Sequence, residues 1–151
     1  MFVKKDKSRY MSGCVDKNPD ELPGVRKKSF VLSFNGGDIW IEHLDGMYQF
    51  TNHVLEKLRQ DAKEFSLPSK PGIIAFVLDE TVINQDIVDE ISKRLCHESK
   101  NYLKVAFVGA DRKIRRLLNK ALRGKCDFVV GYFEDFEVAK KWLVCEGHNM
   151  S

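Results

Sequence analysis

The chain has no paired cysteines, few prolines and no long apolar run. Cys14, Cys96, Cys126 and Cys145 are scattered through 151 residues without a C-x-x-C pair, which argues against a zinc site and against a disulfide framework. No apolar stretch approaches the roughly 20 residues needed to span a bilayer, so no transmembrane segment is expected. The first residues, Met1-Phe2-Val3-Lys4-Lys5, lack the apolar core of a signal peptide, and the cytoplasm is the expected compartment. His43, His53, His97 and His148 stand at no metal-ligand spacing. Gly36-Gly37 and Gly109 belong to neither a GxGxxG nor a P-loop pattern. With no acid–base pair, metal set or activated nucleophile in view, no catalytic residue, metal or cofactor is expected, and the protein reads as a non-enzyme.

What is present is an ordinary globular composition, 43% hydrophobic and 31% charged, at a length typical of one domain. A chain of this size buries roughly 70% of its unfolded surface, enough to fold without a metal or disulfide. The net charge of +3 is unevenly placed. Residues 1–28 hold eight Lys/Arg against four Asp/Glu, and the remainder holds seventeen against eighteen. The body is therefore nearly neutral, and the pI of about 8.6 is no argument for nucleic-acid binding. Asp16, Asn18, Pro19, Asp20, Pro23 and Gly24 break up a stretch without apolar periodicity, so residues 1–28 are expected to form a flexible basic arm. Residues 29–146 form the expected domain, and 147–151 a short tail.

Ser29 to Phe34 and Ile39 to Leu44 read as two strands around Asn35-Gly36-Gly37-Asp38, which suits a hairpin turn. Met47, Phe50, Val54, Leu58, Ala62 and Phe65 recur at three- and four-residue steps, predicting a helix that begins after Gly46 and ends before Pro68. Ile73 to Leu78 is continuously apolar and too short for a helix, as a strand covered on both faces would be. Ile87, Val88, Ile91 and Leu95 mark a second helix with Asn84 as its N-cap. A strand from Leu103 to Val108, a helix from Asp111 to Leu122, a strand from about Asp127 to Phe133 and a helix from Glu134 to about Val144 complete the order β-β-α-β-α-β-α-β-α. That order predicts an α/β fold: a mixed, mostly parallel sheet of about five strands, with the first hairpin supplying the antiparallel pair.

Three stretches carry a family resemblance. They are Ile73 to Leu78 running into Asp79 and the Asn84 helix; Lys104-Val105-Ala106-Phe107-Val108-Gly109 followed by Asp111-Arg112; and Tyr132-Phe133-Glu134-Asp135 with Ala139 and Trp142-Leu143. In order and hydrophobic pattern, residues 29–145 resemble the STAS superfamily of sulfate-transporter and anti-sigma-factor-antagonist domains, closest to its bacterial STAS/SEC14-like branch. The resemblance implies a non-catalytic regulatory or scaffolding module that docks a protein partner. The antagonists carry a phosphorylated Ser or Thr at the start of the helix after this strand. Here that stretch reads Ile83-Asn84-Gln85-Asp86-Ile87, without a hydroxyl, and a phosphoswitch is not expected. The resemblance puts the docking surface at Asp79, Asn84, Gln85 and Asp86, with Asp86 offering a fixed charge near the phosphoacceptor position. The SEC14-like branch implies an alternative, a carrier of a small molecule or lipid in an apolar cavity between the first helix and the sheet.

Two further sites come from the residues alone. Asp79, Glu80, Asp86, Asp89 and Glu90 cluster at a strand's C-terminal end, where α/β folds bind ligands; the preference of helix starts for acids also accounts for them. On the helix from Asp111 to Leu122, the residues Arg112, Lys113, Arg115, Arg116 and Lys120, with Arg123 at its end, occupy a broad arc opposite Ile114, Leu117, Leu118, Ala121 and Leu122. That arc is a candidate contact for an anionic partner, and a solvated helix face is the plainer reading. No aromatic residue interleaves with it, which weighs against nucleic acid.

Overall fold

The computed structural model describes residues 27–65, 72–97 and 99–145; the expected flexible arm, up to residue 26, and the C-terminal tail lie outside them. The elements run β1 (Phe30–Phe34), β2 (Gly37–His43), α1 (Thr51–Phe65), β3 (Gly72–Val77), α2 (Gln85–His97), a 3₁₀ turn (Ser99–Asn101), β4 (Tyr102–Val108), α3 (Arg112–Leu122), β5 (Val129–Phe133) and α4 (Phe136–Val144). They form the expected α/β fold, one five-stranded sheet in the order β1-β2-β3-β4-β5. β1 and β2 are antiparallel and the other pairs parallel. The hairpin turns on Asn35 and Gly36, at φ of 47° and 87°, the left-handed geometry such two-residue turns require.

Each parallel crossover steps one strand in the same direction. Right-handed crossovers of that kind place α1, α2 and α3 on one face, which leaves α4 alone on the other. The sheet is built for this asymmetry. Towards the three helices it presents the row Glu42, Phe76, Phe107 and Tyr132, in register across β2 to β5, with the rings of Phe76–Phe107 and Phe107–Tyr132 stacked at 5.2 and 5.7 Å. Towards α4, one residue along each strand, the row is Ile41, Ala75, Ala106 and Gly131. The three small residues let one nine-residue helix sit close. At Gly131 a methyl group would come within 3.1 Å of the Trp142 ring. β3 lies at the centre of the sheet, covered on both faces, and Phe76 and Ala75 are fully buried.

The helix starts are capped as their sequences direct. Asn84 Oδ1 accepts from Ile87 N at 3.0 Å, Asp111 Oδ1 from Ile114 N at 2.9 Å and Asp135 Oδ1 from Glu137 N at 3.0 Å, each satisfying an amide that the helix leaves open. The first helix differs from the expectation. It begins at Thr51 rather than just after Gly46, because Tyr48 takes a left-handed φ of 47° and its segment pairs with the loop after β3. Met47 is buried from the loop between β2 and α1, not from the helix. β5 begins at Val129 rather than Asp127, whose amide instead bonds Ser99 Oγ at 2.8 Å.

Candidate functional site

The loops that follow β2 and β3 close on each other at the C-terminal edge of the parallel strands. Gly46 N donates to Asp79 O at 2.8 Å, Tyr48 N to Glu80 O at 2.9 Å and Val82 N to Tyr48 O at 2.8 Å. The Thr81 hydroxyl fastens the pair, donating to Leu44 O and accepting from Met47 N at 3.0 Å. Two non-glycine residues, Tyr48 and Glu80, hold φ of 47° and 57° there, a conformation that costs about 1 kcal/mol or more each. Tyr48 and Val82 project from this seam 44% and 57% exposed, large apolar side chains on a strained, hydrogen-bonded platform.

The sequence-expected docking residues gather beside it. Asp79 is exposed, and its carboxylate lies over Gly109. Gly109 holds φ of 87° and bonds Phe133 O at 2.9 Å, so three loops converge on Asp79. Asn84 caps α2 and also ties it to α1, its Nδ2 donating to Thr51 Oγ1 at 3.2 Å. Gln85 and Asp86 are exposed on the first turn of α2, with Gln85 Nε2 bonded to Asp89 Oδ1 at 2.8 Å. Nearby, hydrogen bonds from His43 and Lys27 outweigh the upward pull of burial and hold the Asp45 carboxyl down to about 2.

The basic arc on α3 is divided by the fold. Arg112, Lys113, Arg116 and Lys120 are exposed as expected. Arg115 is half-buried, its Nε donating to Ala110 O at 3.0 Å and its guanidinium lying 5.8 Å over the Tyr132 ring. It packs the helix against the sheet rather than extending the cationic face.

Sequence reasoning missed a charged cluster inside the domain. Glu42, fully buried on β2, accepts from Trp40 Nε1 at 2.7 Å and Arg94 Nη1 at 3.0 Å on the same oxygen. Its other oxygen, Oε2, has no donor among the described residues. Asp61 on α1 is its acidic neighbour. Asp61 in turn accepts from Ser29 Oγ and Lys57 Nζ, both at 2.8 Å. Two neighbouring carboxylates repel unless one of them is protonated. Burial, first, and the Asp61 contact push Glu42 up to about 7, against the opposing pull of Arg94 and Trp40. Asp61 is held below its ordinary range: burial pulls it up, but the bonds from Glu42, Lys57 and Ser29 prevail. A neutral Glu42 beside an ionised Asp61 removes that repulsion. The cluster stitches β2, α1, α2 and the lead into β1 together, and the Ser29 hydroxyl also accepts from His43 N at 2.9 Å.

Among the described residues no group of His, Cys, Asp and Glu is arranged to hold a metal, and no helix is long and apolar enough to cross a membrane. Compared with known proteins, the chain matches no family model, no curated protein and no solved structure.

Proposed function

We propose that the protein is a non-enzymatic, STAS-like regulatory or scaffolding module that docks a cytoplasmic protein partner on the paired loops and the first turn of α2. The observation that carries this reading is the seam itself. Hydrogen bonds hold the loops of residues 44–50 and 78–84 in a strained conformation while Tyr48 and Val82 stay exposed. Rigid aromatic and aliphatic anchors on a prearranged backbone bind with little ordering cost. Asp79, Gln85 and Asp86 supply a polar rim beside those anchors. The charge at this surface is fixed rather than switched: residues 83–87 contain no hydroxyl, and the Thr81 hydroxyl is engaged with backbone atoms on both sides.

Affinity capture from native lysate, compared between wild type, Val82→Asp and Asp86→Lys, tests the reading. Both substitutions fall on exposed positions, so circular dichroism should show an unchanged fold. The proposal expects a discrete set of proteins to be captured by the wild type and lost by both variants. The same set captured by all three would place docking elsewhere.

A further inference from the structure

The chain enters the described fold beside the paired loops. β1 is antiparallel to β2, with Phe30 opposite Ile41, so its first residue lies at the C-terminal edge of the parallel strands, where the loops close. The lead into β1 is fastened there. Ser29 Oγ accepts from His43 N at 2.9 Å, and the Lys27 ammonium donates to the Asp45 carboxylate at the start of the first loop. The Asp45 hydrogen bond and charge hold Lys27 above its ordinary value against burial, with smaller pulls from Glu80 and Asp79 on the second loop. One cation that precedes β1 is thus already seated in the field of both loops.

That field is acidic throughout. Residues 44–50 and 78–89 contain Asp45, Asp79, Glu80, Asp86 and Asp89 and no Lys or Arg. Of these acids, all but Asp45 are exposed, and they share this surface with the exposed Tyr48 and Val82. An occupant complementary to it carries apolar side chains interleaved with cations. Residues 2–11 have that chemistry: Phe2, Val3, Tyr10 and Met11 accompany Lys4, Lys5, Lys7 and Arg9, against Asp6 alone. Residues 12–26 join this stretch to Lys27, and a connection of that length reaches roughly 50 Å when extended, far more than a return to loops adjoining Lys27 requires.

We propose that residues 2–11 fold back onto the paired loops of the same chain, their apolar side chains against Tyr48 and Val82 and their cations among Asp79, Glu80, Asp86 and Asp89. The inference rests on the docking reading above and adds its regulation: the arm and the partner compete for one surface. A short tether gives an effective concentration on the order of 1 mM, so a contact of weak intrinsic affinity occupies the surface and a tighter partner displaces it.

The test compares the full ¹⁵N-labelled wild-type chain with a variant carrying Lys4→Glu, Lys5→Glu, Lys7→Glu and Arg9→Glu. The contact predicts that, within the body, amide shifts differ between the two only at residues 44–50 and 78–89. Those differences should be independent of protein concentration and vanish in about 1 M sodium chloride, where the screening length falls to about 3 Å. Identical body spectra, or differences centred on another surface, would overturn the contact. Differences that grow with protein concentration would place the arm on a second copy and overturn it equally. Capture from lysate separates this inference from the reading it rests on. With both right, the arm variant captures severalfold more of the partner set than wild type does, and Val82→Asp captures none. Capture lost in Val82→Asp while the arm variant's body spectrum matches wild type would overturn the arm contact alone. The expected shifts with no protein captured would support the arm as the occupant and overturn the external partner.

Discussion

The buried carboxyl pair makes stability depend on pH in a direction opposite to that of most acids. Glu42 keeps its proton in the folded protein up to about 7, whereas its ordinary value is 4.5. Between those values the unfolded chain has released a proton that the folded chain retains. Stability is therefore fully present below about pH 4.5 and is lost as pH rises towards 7. At about 1.4 kcal/mol per pKa unit, the loss is on the order of 3 kcal/mol, a large share of a domain's stability. Asp61 and Asp45 act in the other direction: both are held below the ordinary 3.8, so their contributions are present above it and fade as pH falls. Glu42→Gln removes the titrating group and keeps an acceptor for Trp40 and Arg94. Urea denaturation followed by circular dichroism at pH 5, 6, 7 and 8 should show wild-type stability declining across the series and that of Glu42→Gln nearly flat, with the variant the more stable at pH 8. If Glu42 acts instead as the anion of an ion pair with Arg94, Glu42→Gln will be destabilised more at pH 8 than at pH 5. That result would refute a neutral Glu42.

Gly109→Ala should destabilise the domain by about 1–3 kcal/mol, because φ there is 87° and the added methyl meets the Asp79 carboxylate. In an Asp79→Ala background part of that cost should vanish, and a double-mutant cycle in urea showing no coupling would mean that Asp79 does not lie over Gly109. Phe76→Ala empties the space between Phe107 and the Arg94 guanidinium at the centre of the sheet and should cost about 3–5 kcal/mol. A measured loss below about 1 kcal/mol would contradict the central position of β3.

Much of the fold was legible because its signals are local. Asn35-Gly36 between two β-like runs announced the hairpin, the unbroken apolar run at Ile73 to Leu78 announced a strand covered on both faces, and Asn84 and Asp111 marked their helix starts. The exceptions depend on partners far along the chain. Met47 sits at helical spacing from Phe50 and Val54, yet the segment is held out of the helix by pairing with Glu80 and Thr81 more than thirty residues on. Asp79, Asn84, Gln85 and Asp86 were found as neighbours in sequence, but the Tyr48–Val82 seam beside them exists only in the folded chain. Glu42 carried a faint signal, an acid at strand spacing from Trp40 within the apolar run Ile39 to Leu44. Its partners Asp61 and Arg94 lie on helices that read as ordinary amphipathic surfaces. Arg94 would be taken for a solvated cation until the sheet row Glu42-Phe76 brings it inside.

The central claim, a docking surface at the paired loops, is tested most directly by hydrogen–deuterium exchange of the protein alone and in complex with a captured partner. Docking there predicts new protection in residues 44–50 and 78–89, with α3 unchanged. Protection centred on the exposed α3 face around Arg112 to Lys120, with the loops exchanging as fast as before, would contradict the account.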